Sequence, residues 1–102
     1  MNNNYNIIIR YSWDESKNVS NQKKHHVSFE EAVTVFDRDD SIIFDDPIHS
    51  LDEDRYLIIG ITNEARLCVV SWCERAQNFI RIISAREATK SEADYFREFN
   101  RR

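Results

Sequence analysis

Three apolar runs follow one another closely in the second half of the chain: RYLIIGIT (55–62), RLCVVSWCER (66–75) and NFIRIISAR (78–86). Each is rich in β-branched and aromatic side chains, which suit a pleated, half-buried backbone. The connectors Asn63-Glu64-Ala65 and Ala76-Gln77 have the length of hairpin loops, so the three strands are expected to form an antiparallel meander.

The flanks complete the pattern. Upstream, the short apolar piece Ile42-Ile43-Phe44 reads as a further strand that Pro47 ends. Before it, Ser28 with Glu31 three residues on has the spacing of a capping box. Phe29, Ala32, Val33, Val35 and Phe36 follow at helical spacing, predicting a helix that packs on the core. Asp14 can cap an earlier helix to about Lys24, polar along most of its length and expected on the surface. Ile7, Ile9, Tyr11 and Trp13 alternate with Ile8, Arg10 and Ser12 as a first, amphipathic strand. Downstream, Thr89 and Glu92 make a second capping box, opening a helix with Tyr95, Phe96 and Phe99 on one side. The order β-α-α-β-β-β-β-α predicts an α+β fold. Its small antiparallel sheet, a meander of the last three or four strands, is flanked by two N-terminal helices and one C-terminal helix.

Length and composition bound the rest. One domain over 1–102 is expected from 102 residues, 41% of them hydrophobic and 12% aromatic. Fourteen bases against 18 acids give a net charge of −4, which argues against bulk electrostatic binding of nucleic acid but permits a local basic site. The deficit is concentrated. Residues 37–54 hold eight acids and the single base Arg38, a net −7, and the other 84 residues carry +3. This acidic stretch is either a solvated surface or a place for a basic partner. No apolar run reaches the roughly 20 residues of a membrane span. The N-terminus has no secretory pattern, so a cytoplasmic protein is expected. Cys68 and Cys73 fall five residues apart in one strand, on opposite faces and about 16 Å from each other, so they cannot pair.

Most enzyme signatures are missing. Gly60 is the only glycine, which rules out a Gly-rich phosphate loop. His25, His26 and His49 lack the helical spacing of metal ligands, and no metal or cofactor is expected. Cys68 and Cys73 sit in apolar strand contexts typical of inert thiols. What remains is a set of cations: Lys24 with His25 at the end of the first helix, then Arg66, Arg75, Arg81 and Arg86 on the strands. By strand alternation Arg66 shares a face with Trp72 and Glu74, and Arg81 and Arg86 fall on opposite faces unless a bulge intervenes. The residues alone leave the site undecided, because sheet arginines commonly serve as cross-strand charge partners.

A longer pattern bears on function. Trp13-Asp14-Glu15-Ser16-Lys17-Asn18, Asn21, Lys24-His25 and Val27-Ser28-Phe29-Glu30-Glu31-Ala32 resemble the opening signature of the BrnT toxin family. Val35-Phe36-Asp37, Arg55-Tyr56, Ile59-Gly60, Arg66-Leu67, the run Arg81-Ile82-Ile83-Ser84-Ala85-Arg86, Ala88-Thr89, Glu92 and Tyr95 continue the resemblance in order. It spans about residues 11–96 and leaves residues 1–6 as a flexible extension.

The resemblance implies a RelE-like fold and a type II toxin that inhibits translation by cutting RNA. The implied partners are a BrnA-type antitoxin and an RNA substrate, with operator DNA reached through the antitoxin. The RNA 2′-hydroxyl is its own nucleophile, so only acid, base and phosphorane stabilisation are needed. His25 suits proton transfer, because histidine titrates near neutrality. Lys24, Arg66 and Arg86 are candidates to hold phosphate, and Glu53 or Glu74 to act as base. His26 stands where the family commonly has glycine, and Ala76-Gln77-Asn78 replaces a glycine-bearing turn. Two other readings stay open: a degenerate toxin that only binds antitoxin and regulates its operon, and a generic interaction domain with structural arginines.

Overall fold

The computed structural model of the chain describes residues 8–102. The three quoted runs form β3 (Tyr56–Ile61), β4 (Leu67–Ala76) and β5 (Phe79–Glu87), paired antiparallel in sequence order. β2 (Ile42–Asp45) pairs antiparallel with β3. The first strand departs from expectation: β1 spans Arg10–Ser12 and lies parallel to β5. The sheet is therefore five-stranded and mixed, in the order β1-β5-β4-β3-β2, rather than wholly antiparallel. Two helices and three strands separate β1 from β5 in the chain, a connection long enough for a parallel crossover. Ile7 and the expected 1–6 extension fall outside the described residues.

The helices follow their caps. Asp14 accepts the N–H groups of Ser16 and Lys17 at 2.8 and 3.3 Å and opens α1 (Glu15–His25). Ser28 accepts the N–H of Glu31 at 3.0 Å and opens α2 (Phe29–Ala32), which tightens into a 3-10 turn over Val33–Asp37. The tightening coincides with three consecutive β-branched residues, Val33, Thr34 and Val35. Only half of the expected capping box forms here, because the Glu31 carboxylate turns to Arg66 and Thr62. Both halves form at Thr89 and Glu92, the start of α3 (Lys90–Asn100).

The sheet has two unequal faces. On the first, Ile58, Cys68, Val70, Trp72, Ile80, Ile82 and Ala85 pack under α2 and its neighbours Val27, Phe29, Ala32 and Val35. Trp13 and Trp72 are edge-on to Phe29 and Phe36 here, so both belong to the core rather than to a stacking surface. Gly60 belongs to this face as well: a Cβ there would collide with Ser41 Oγ and crowd Val35, so the 3-10 turn can cross β3 closely only above a glycine. On the second face, Phe96 of α3 covers only the patch formed by Ile42, Ile59 and Val69.

α1 is as polar as expected, yet it is fastened to the sheet by two buried asparagines, Asn18 and Asn21. β1 pairs with β5 only over Phe79–Arg81 among the described residues, leaving the rest of that strand edge open. Asn21 closes it. Its Oδ1 accepts the Ala85 N–H at 3.2 Å and its Nδ2 donates to the Ala85 carbonyl at 2.8 Å, as a neighbouring strand would. The same Nδ2 reaches the Val27 carbonyl at 2.8 Å. Asn18 ties α1 to α2 by accepting the Phe29 N–H at 2.8 Å and donating to Glu30 at 2.9 Å.

Asn21→Ala leaves a buried N–H and C=O of β5 without partners and is expected to cost about 2–3 kcal/mol in urea unfolding. His26 ends α1 in the left-handed region, at φ 61°. His26→Gly is therefore expected to raise stability by about 1 kcal/mol, read as a higher midpoint in the same experiment.

Candidate functional site

The second face owes its chemistry to an irregularity in β5. Pairing runs Val70↔Ala85 and Ser71↔Ser84, then jumps to Trp72↔Ile82 and Cys73↔Arg81. Ile83 is the extra residue of a β-bulge, and it shifts the alternation by one. Arg81 and Arg86, separated by simple alternation, therefore leave the sheet on the same side. The register of β1 adds Arg10 and Ser12 beside Phe79 and Arg81, again on this face. Tyr56 packs on Trp72 of the first face, which turns the preceding Arg55 to the second. Beyond α3, the second face thus presents Arg10, Arg55, Arg81 and Arg86, with Ser71 and Ser84 between them.

These arginines differ in availability. The Arg86 guanidinium holds Glu92 in two parallel hydrogen bonds at 2.8 and 2.9 Å and also reaches the Glu87 carbonyl. Arg81 is half-buried and makes no side-chain hydrogen bond or ion pair among the described residues. The Arg55 Nε is buried without a hydrogen-bond partner. Neither Arg81 nor Arg55 is among the site residues expected from sequence, because nothing in RIISAR announces a bulge.

At one corner, Arg66 lies against the end of α1 that carries Lys24 and His25. Lys24 and His25 form the last turn of α1, one turn beyond the Asn21 amide that grips Ala85, the residue before Arg86. Arg66, at the start of β4, donates to the His26 carbonyl at 2.8 Å and so holds the end of α1 in place. It also makes a bidentate pair with Glu31, one bond at 3.0 Å, and an ion pair with Glu87 at 3.3 Å. The Arg66 guanidinium holds the Glu31 carboxyl below its usual range. Four of the five Arg66 N–H groups are thereby committed inside the protein. Arg66 organises the corner and has one donor left for a substrate.

Glu53 is not brought to this corner. It pairs with Arg75 at 3.4 Å near the far end of β4, roughly 25–30 Å along the strand from Arg66. Glu74 belongs to that end as well, accepting the Asn78 N–H at 3.0 Å in the β4–β5 turn. The exposed carboxylate at the corner is that of Glu87, which sequence reasoning passed over. The thiols flank these groups, Cys68 opposite Glu87 and Cys73 opposite Arg81, but burial pushes Cys68 up to about 11 and raises Cys73 too, so neither is an activated nucleophile. Among the described residues no three His, Cys, Asp or Glu side chains are grouped to hold a metal ion. Among the described residues no helix is long and apolar enough to cross a membrane.

The Arg86–Glu92 pair joins the site to α3. Hydrogen bonds from Arg86 and from the Thr89 backbone draw Glu92 down to about 2, from an ordinary 4.5. A depressed carboxylate contributes its stability above the unfolded value and loses it as pH falls through the folded one. The melting-temperature gap between this chain and Glu92→Gln is therefore expected to be constant above about pH 5. Between 4.5 and 2 it should close, as thermal melts across that range would read.

Comparison with known proteins agrees with the resemblance in the sequence. The sequence pattern of the family described as "Ribonuclease toxin, BrnT, of type II toxin-antitoxin system" matches residues 13–92. No curated protein matches the chain significantly by sequence. Among solved structures, the chain is similar to the Brucella abortus ribonuclease toxin BrnT, a 1.1 Å crystal structure. The TM-score is 0.62 at 23% identity, over 80% of this chain and 99% of the Brucella protein, a likeness of fold. Every element from α1 to the start of α3 falls within the family match, and the chain belongs to the BrnT family of ribonuclease toxins of type II toxin–antitoxin systems.

Proposed function

We propose that this chain is the toxin of its pair, a metal-independent endoribonuclease of RelE-like fold that stops translation in the cytoplasm by cutting RNA across the second face of the sheet. The observation that carries this reading is the bulge at Ile83, which sets Arg81 and Arg86 on one face that α3 covers only in part. Guanidinium groups suit a phosphodiester, since their planar forks match two phosphate oxygens at once.

The chemistry needs few groups. The 2′-oxygen attacks the adjacent phosphorus as a base takes its proton, the 5′-oxygen leaves with a proton from an acid, and a 2′,3′-cyclic phosphate remains. His25 supplies proton transfer. Arg81 and Arg86 stabilise the extra negative charge of the phosphorane. Lys24 draws the RNA toward the corner by charge, and Arg66 positions the end of α1. Glu53, whose carboxylate reaches Cys73 opposite Arg81, stays a candidate base, and Arg75 borders the path of the RNA at that end of the sheet.

A BrnA-type antitoxin with a DNA-binding part neutralises the toxin, and the complex represses its own operon. One observation favours a second reading, a catalytically weak module kept for antitoxin binding and regulation. Arg66 and Arg86 are each already paired with a carboxylate, which lowers what they can offer a phosphate.

Inducing the chain alone separates the two readings: growth arrest with fragmented RNA supports the nuclease, and intact RNA with folded protein present defeats it. Purified protein with a short RNA and a chelator tests the site. His25→Ala and Arg81→Ala should each slow cleavage on the order of 100-fold while far-UV circular dichroism is unchanged. Full activity in Arg81→Ala would remove the second face as the site.

A further inference from the structure

Among the described residues the sheet ends at β2, and no strand pairs with its outer edge. The Asp46 N–H donates to the Arg55 carbonyl at 2.9 Å, so pair 46–55 belongs to the hydrogen-bonded set of the antiparallel ladder. Bonded pairs alternate, which assigns Phe44↔Leu57 and Ile42↔Ile59 to the same set. The N–H and C=O groups of Ile43 and Asp45 therefore point away from β3, and no described residue bonds them. Such an edge is a template for another strand.

Two cavities flank it, one on each face. On the first face a space of about 310 Å³ is lined by Ile43, Phe36, Arg38 and Trp72 among others. The Trp72 Nε1 is buried there without a hydrogen-bond partner, although the residue is only 8% exposed. On the second face a space of about 340 Å³ is lined by Phe44, Leu57, Ile59, Val69 and Tyr95. Ile43 is 58% exposed and Tyr95 46%, a large apolar exposure on either side of one short strand. A strand added beyond β2 would send alternate side chains toward these two cavities.

The surroundings select the occupant by charge. Asp37, Asp39 and Asp45 have no ion pair among the described residues, and the net −7 of residues 37–54 is centred on this edge. We infer that the antitoxin docks an extended segment on the β2 edge as a sixth strand, apolar at its centre and flanked by lysine or arginine. This inference rests on the antitoxin reading above and assigns it a surface.

The test uses the full chain and the separately purified antitoxin encoded beside it. Hydrogen exchange at the Ile43 and Asp45 amides should slow at least tenfold on complex formation. Ile43→Pro removes a donor that no native ladder bond uses, and proline is tolerated at such edges. It should raise the Kd at least tenfold while leaving circular dichroism and RNA cleavage unchanged. Ile43→Lys, a substitution at an exposed side chain, should weaken binding similarly if the proline variant misfolds. Affinity should fall as salt is raised. Unchanged exchange at both amides, or wild-type affinity in both variants, overturns the inference while leaving the antitoxin reading standing. So does slow exchange in the chain alone, or self-association that Ile43→Pro abolishes, because the edge would then be already covered. If the antitoxin does not bind the wild-type chain, the partner reading itself fails and takes the edge with it.

Discussion

β5 is longer than the strand that borders it. β1 pairs with three of its residues, and the rest of that edge must find hydrogen bonds elsewhere or remain buried without them. A single amide resolves this. Asn21 offers Ala85 both a donor and an acceptor from a helix that has almost no apolar face of its own. Propensity and hydrophobic burial do not explain why α1 sits where it does, whereas the geometry of one asparagine does. The left-handed His26 at the end of α1 presents its carbonyl to Arg66, which also pairs with Glu87, and this meeting of helix end and strand start follows from that anchor.

Charge is distributed on the same logic. The first face of the sheet is closed by α2 and the 3-10 turn, and holds tryptophan, isoleucine and valine. The second is closed only in part by α3, and where it is open it holds arginine and serine. The stretch around the β2 edge, residues 37–54, holds eight acids and one base. A net charge of −4 thus describes neither surface, since it averages an acidic strand edge with a cationic sheet face.

Much of this architecture was legible in the residues. The strands β3, β4 and β5 and the caps at Asp14, Ser28 and Thr89 follow from alternation, capping chemistry and apolar spacing. Three features were not legible, each for a physical reason. The parallel pairing of β1 is a tertiary choice that local pattern does not encode. The Ile83 bulge lies in a run of β-branched residues with no glycine to mark it, so alternation alone split Arg81 from Arg86. The Glu31 carboxylate has the spacing of a capping box, yet a bidentate arginine and a threonine hydroxyl outcompete a single backbone N–H for it. Of the candidate site, the end of α1 with Lys24 and His25 and the start of β4 with Arg66 are neighbours, while Glu53 lies toward the other end of β4, a distance that composition does not convey.

The two proposed surfaces lie on different parts of one sheet, and their separation constrains how neutralisation can work. β2 and β5 are three strand spacings apart, roughly 14 Å, so a strand added at the β2 edge lies still farther from Arg81 and Arg86. Such a strand cannot cover those arginines by itself. An antitoxin anchored there must either reach over the second face with a further segment or act through α3, which stands between the two regions and is tied to Arg86 by Glu92. The first route needs only proximity. Once one segment is docked, a tethered acidic or apolar segment meets the arginines at millimolar effective concentration, so modest contacts there suffice to exclude RNA. The second route would require α3 to have two arrangements, and its full capping box together with the Phe96 anchor gives it one well-supported arrangement. The geometry therefore favours occlusion by a second segment over displacement of the helix.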